Sequence, residues 1–202
     1  GTNLLIFGGN TGYNRIRLED NRKIAMWRST KSDPFGTLLD KATTAWRMAP
    51  IRKPESLLMG SQYIGLGVSG DFTITHPNRW PFNVMSKPDR LRLVVGREVD
   101  SPLYSPGPAV ESLATSEIKV YGQSATAMAT YYNTKAGAGV LDIGTNGWPC
   151  AMANICPWHS NVPSNVREDI RAVTMNILSG AAAGPLAKRY PALEEIPARS
   201  TS

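Results

Sequence analysis

Four apolar residues in a row, Leu4-Leu5-Ile6-Phe7, stop abruptly at Gly8-Gly9-Asn10-Thr11-Gly12. A short continuous apolar run closed by glycines reads as a strand buried on both faces, the kind found inside a sheet covered by helices. Such a strand needs neighbours on both sides. The expectation is an α/β domain with a partly parallel open sheet, carrying β-hairpin insertions and completed by an upstream segment or a partner chain. The loop after the strand lies at its carboxyl end, where open α/β sheets place their ligands.

Later segments fill in this picture. Arg15 to Glu19 and Lys23 to Trp27 alternate as hairpin arms around Asp20-Asn21. Between residues 28 and 90, Pro34, Pro50, Pro54, Pro77, Pro81 and Pro88 interrupt any long element, leaving a helical turn at Pro54 to Leu58 and a strand at Asp71 to Thr75. Leu91 to Asp100 reads as a second strand, Glu117 to Tyr121 with Ala125 to Tyr132 as a β pair, and Gly139 to Gly144 as a third buried strand. Pro163 and the capping-box pair Asn165 and Glu168 open a helix whose Val166, Ile170, Val173 and Ile177 recur at helical spacing until Gly180. The division that follows is a domain over residues 1–180 and an extended or flexible tail over 181–202.

Composition narrows the function classes. A chain of 202 residues with 42% hydrophobic and 19% charged content can bury a core of its own. The net charge is +6, but the basic residues are scattered without a block of like charges, which argues against a nucleic-acid partner. No apolar run reaches the length of a membrane span. Cys150 and Cys156, beside Pro157, Trp158 and His159, are too few for a structural zinc site and are expected as partly buried thiols. His76 and His159 lack metal-ligand spacing, and the compartment stays open with a slight lean to the cytoplasm. The glycine loop has no Lys-Ser/Thr after it and leads into a strand, so it lacks the form of a nucleotide-binding loop.

Residues 1–19, read as Gly1-Thr2-Asn3-Leu4-Leu5-Ile6-Phe7-Gly8-Gly9-Asn10-Thr11-Gly12-Tyr13-Asn14-Arg15-Ile16-Arg17-Leu18-Glu19, resemble the pattern GVNLxFxGxNxxYWxxRxE of the N,N-dimethylformamidase large-subunit family. Further matches follow in order. Asp33-Pro34 with Thr44-Ala45-Trp46-Arg47 resembles DP…TxxWR, Pro54 to Gly60 resembles PExxLxG, and Val95 to Asp100 resembles VGYEVD. Gly139 to Trp148 is similar to GxVFxxGTxxW, and the final helix to VxxxTxNIL, so the likeness spans roughly residues 1–178. Three departures stand out: the family's other tyrosine, in a segment like HDEYW, has no counterpart here, Asn14 replaces a tryptophan, and Arg97 replaces a tyrosine.

The resemblance implies a glutamine-amidotransferase-like (flavodoxin-like) domain that hydrolyses small amides at a mononuclear Fe(3+) held by two tyrosine phenolates and a glutamate. Carried over by position, Tyr13 and Glu98 are metal ligands, and nearby polar groups such as Asn10 and Asn146 are expected to orient the substrate. Two ligands do not hold iron securely, so a second polypeptide, in an oligomer, is expected to supply another. Arg15 and Arg17 alternate with Ile16 and Leu18; they either bind a carboxylate substrate or pair with Glu19 and Asp20. Thr145 and Trp148 follow a buried strand and either line the same cleft or belong to the core. The alternative to a hydrolase is a non-catalytic binding or assembly subunit that keeps the fold without the metal.

Overall fold

The computed structural model describes residues 1–87, 89–156 and 161–200, with the backbone alone at Val68. It is a mixed α/β structure. Among the described residues eight strands form, β1 Leu4–Ile6, β2 Arg17–Glu19, β3 Lys23–Ala25, β4 Gln62–Ile74, β5 Arg90–Ser101, β6 Glu111–Val120, β7 Gln123–Asn133 and β8 Gly139–Asp142. Three α-helices among the described residues accompany them, α1 Ser56–Met59, α2 Gly147–Ala153 and α3 Ser164–Ala182, with a short 3-10 helix at Leu186–Lys188.

Six strands make one sheet in the order β1-β8-β7-β6-β4-β5, and β2 with β3 forms a separate ribbon. Only β1 and β8 run parallel, Leu4 opposite Val140 and Ile6 opposite Asp142. The other neighbours are antiparallel. Strand β1 stands at one edge of the sheet.

Strand β4 corrects the reading of residues 28–90 as irregular, since it runs unbroken across Gly65, Gly67 and Gly70. Those glycines hide a strand from propensity, because glycine weakens a strand unless it marks a bulge or a close approach. Both apply. The register of β4 shifts at these points, and a Cβ on Gly67 or Gly70 would lie 2.7 Å from the Ile118 side chain on β6. The sheet therefore bends hard, until the end of β5 reaches the loop after β8: Asp100 N–H donates to Gly144 O at 2.9 Å and Asn146 N–H to Glu98 O at 3.2 Å.

Helix α3 lays its apolar stripe on the sheet. Val166, Ile170, Val173 and Ile177 are all buried and join one core with Phe72, Leu91, Val95 and Leu113. Each such side chain contributes about 1.5–3 kcal/mol by leaving water. The ends differ from expectation: Pro163 holds the cap position without a side-chain cap, and the helix continues past Gly180 to Ala182. Gly180 serves packing, since a Cβ there would stand 3.1 Å from Tyr190 and 3.2 Å from Trp80.

Beyond the helix the chain is tied back to the sheet. Tyr190 stacks on Trp80 at 4.5 Å, and Ile196 and Arg199 bridge to Val110 and Gly107. A second correction concerns the cysteines. Cys150 and Cys156 are joined in a disulfide with Cα atoms 5.2 Å apart; between them Asn154 ends α2 in the left-handed conformation, with φ 55°. Trp158 and His159 lie outside the described residues.

Candidate active site

The loop after β1 is pressed against the carboxyl end of β5. A Cβ on Gly9 would sit 2.6 Å from the Glu98 carbonyl oxygen, so only glycine allows this approach. Asn10 follows with φ 57°, a left-handed conformation that asparagine tolerates. Its backbone N–H donates to both carboxylate oxygens of Asp100, at 2.9 and 3.2 Å.

Glu98 is gripped from two sides. Asn10 Nδ2 donates to Glu98 Oε1 at 2.8 Å, and Asn146 Nδ2 donates to Oε2 at 2.7 Å. Asn146 is itself fixed, because its Oδ1 accepts the Gly9 N–H at 2.9 Å. Each carboxylate oxygen keeps a second acceptor direction. Asn10 Oδ1 is buried and has no hydrogen-bond partner.

A cavity of about 620 Å³ opens beside this carboxylate, lined by Asn10, Tyr13, Tyr63, Glu98, Arg28 and Thr44 among others. Tyr13 is held by its backbone, whose carbonyl accepts from Trp46 N–H at 3.0 Å. Its ring meets Tyr63 edge-on, with centroids 5.7 Å apart and planes at 88°. The Arg47 guanidinium lies 5.0 Å over the same ring. Arg47 also pairs with the buried Glu55 and donates to Tyr63 O at 2.9 Å, so one cation ties both tyrosine segments together. The Tyr63 hydroxyl meets that of Tyr121 at 3.2 Å. Burial, then Tyr121, then the charge of Glu98 push the Tyr63 phenol above its ordinary range.

Two further carboxylates lie behind the loop. Asp142 is fully buried, and burial pushes it up to about 7 although Ser61 and the Gly144 N–H pull the other way. Asp100 is raised well above its ordinary value by burial and by Asp142. The two behave as a pair that keeps a proton when exposed carboxylates have lost theirs.

The structure thus brings Asn10, Tyr13 and Glu98 to one cavity, while Asn146 grips Glu98 without lining it. Arg15, Arg17, Thr145 and Trp148 do not line this cavity. Arg15 donates to the carbonyls of Leu39 and Asp40 and lies over Trp46. Arg17 pairs with Glu19 and Asp33. Thr145 Oγ1 donates to Gly96 O and accepts the Gly96 N–H, both at 3.0 Å. Trp148 is fully buried and donates to Thr174 Oγ1 at 3.0 Å.

Tyr63 and Arg47 escaped the sequence reading. Arg47 closes the segment resembling TxxWR, which was a usable signal; Tyr63 stands on the strand that glycines concealed. Among the described residues no three His, Cys, Asp or Glu side chains cluster as metal ligands; the ionisable oxygen donors lining this cavity are the phenols of Tyr13 and Tyr63 and the Glu98 carboxylate. No described helix is long and apolar enough to cross a membrane. Comparison with curated proteins gives no match. A family model described as N,N-dimethylformamidase beta subunit-like, C-terminal, matches residues 1–162, and the chain belongs to that family.

Proposed function

We propose that the chain is the site-bearing part of a metal-dependent hydrolase of small linear amides, with Tyr13 and Glu98 as ligands of a ferric ion. The observation that carries this is their shared cavity, to which a second phenol, Tyr63, also contributes. Phenolate and carboxylate are hard, anionic donors and suit a hard trivalent cation. Such an ion, when bound, polarises an amide carbonyl and acidifies water.

The chain's own side chains do the positioning. Asn10 and Asn146 fix the Glu98 carboxylate by one hydrogen bond to each oxygen. Asn10 Oδ1, buried without a partner, accepts an N–H or O–H from the bound substrate or water, relieving the cost of an unpaired acceptor. Arg47, over the Tyr13 ring at 5.0 Å, and Tyr63, edge-on to it at 5.7 Å, hold that ring in place. The parallel β1–β8 pair with α3 packed on the sheet supports a glutamine-amidotransferase-like domain. The words beta subunit-like in the family description support a multi-subunit enzyme, in which a second polypeptide adds a ligand.

A second reading is a non-catalytic subunit, favoured by the fact that both Glu98 oxygens already have partners in the chain. The assembled protein, loaded with ferric ion, separates the two. The hydrolase reading expects iron to be retained and amine to be released from N,N-dimethylformamide, with both lost in Tyr13→Phe and Glu98→Gln. An assembly that keeps no iron and releases no amine overturns it.

A further inference from the structure

Among the described residues, the side-chain contacts that tie the β2–β3 ribbon to the rest of the protein run through the face that carries Arg17. On that face Arg17 pairs with Glu19 and Asp33 and donates to Lys41 O at 2.7 Å. The register that sets Arg17 against Ala25 sets Leu18 against Ile24 on the opposite face, and the alternation carries on to Ile16 and Met26. These four side chains are 52, 67, 67 and 46% exposed in the order Ile16, Leu18, Ile24, Met26. An isolated two-stranded ribbon is marginal in water, and a contiguous apolar patch with a polar border marks an interaction surface.

The border is cationic. Arg17 is paired with Glu19 and Asp33 on the attached face, and the exposed charges of residues 18–31 are Arg22, Lys23, Arg28 and Lys31 against Asp20, so four positive less one negative leave +3. A second copy docked on this face would bring like charges together, which disfavours it. We propose that this face docks a polypeptide surface outside residues 1–202, apolar at its centre and bordered by Asp and Glu.

The position gives the contact a consequence. Beyond β3 the chain runs directly into Arg28, Ser29 and Thr30, which line the cavity with Tyr13 and Glu98. The docked polypeptide borders the cavity and delivers the further ligand required there; that role rests on the ferric reading above, whereas the docking does not.

The test is a photocrosslinker, p-benzoylphenylalanine, in place of Met26 in the full natural assembly, with the same group in place of Leu66, 45% exposed on β4, as the control. The expected adduct from Met26 maps to a peptide outside residues 1–202 whose apolar centre is flanked by acidic residues. Adding Leu18→Glu and Ile24→Glu reduces its yield by roughly tenfold or more, while the melting temperature of the chain stays unchanged. An adduct to a second copy of the ribbon or to lipid, or none above the Leu66 control, overturns the proposal. Iron content measured on the same preparations keeps the two readings apart: an assembly that crosslinks as expected but holds no iron contradicts the ferric site alone.

Discussion

Asn10 and Glu98, 88 residues apart in sequence, are joined by a 2.8 Å hydrogen bond from the amide Nδ2 to carboxylate Oε1. That bond joins the loop after the first strand to the carboxyl end of the fifth. It also fixes which direction the carboxylate presents to the cavity. Groups that orient a ligand typically matter about 10–100-fold in metal affinity or activity.

Asn10→Asp removes that donor and sets a second negative charge beside Glu98, while keeping a residue that tolerates the left-handed backbone. Iron retention and kcat/KM for amide hydrolysis are expected to fall by about 10–100-fold. Asn146→Ala acts on the other oxygen and should fall in the same range. Elemental analysis and amine release measure both.

Gly9→Ala forces a methyl group against the Glu98 carbonyl, where a Cβ would stand 2.6 Å from the oxygen. Backbone cannot yield as a side chain does, so the loop must lift. The expected cost is about 1–3 kcal/mol, read as a lowered midpoint of denaturant unfolding.

Arg47→Met leaves Glu55, whose side chain is 3% exposed, as an unpaired buried charge and frees the Tyr13 ring. A stability loss of about 3–5 kcal/mol is expected from breaking a buried pair this way. The double variant with Glu55→Gln should recover part of it. Full additivity of the two losses in a denaturation cycle would show that the pair does not interact.

Asp142 gives a pH dependence with a definite sign. Its folded-state value of about 7 stands above the ordinary 3.8, so the folded protein holds a proton that the unfolded chain has released. The stabilisation is complete below the lower value and is lost as pH rises through the higher one. Unfolding midpoints measured across this window should fall with rising pH, and Asp142→Asn should flatten the slope.

How much of this was legible in the sequence depends on where the signal lay. The hairpin could be read because Asp20 and Asn21 both take positive φ, 51° and 54°, in a turn that prefers such residues. Strands β5 and β8 and the stripe of α3 could be read because burial leaves apolar runs and helical spacing. Of strand β4 only the end was legible, as the strand expected from Asp71, since Gly65, Gly67 and Gly70 before it answer to side chains from other strands. Tyr63 was lost with the earlier part. Tyr13 and Glu98 were found through a family resemblance, and Asn10 and Asn146 as polar groups near them, whereas their convergence is a product of sheet curvature that no local pattern encodes. The disulfide closes across the helix end at Asn154, a left-handed residue, which the spacing of the two cysteines leaves open.

The ferric centre is tested most directly by the visible absorption spectrum of the assembled, iron-loaded protein. Ligation by Tyr13 predicts a purple phenolate-to-iron charge-transfer band that disappears or shifts in Tyr13→Phe and is unaffected by Tyr104→Phe, an exposed phenol outside this cavity. A colourless iron-loaded protein, or a band that survives Tyr13→Phe unchanged, would contradict the site.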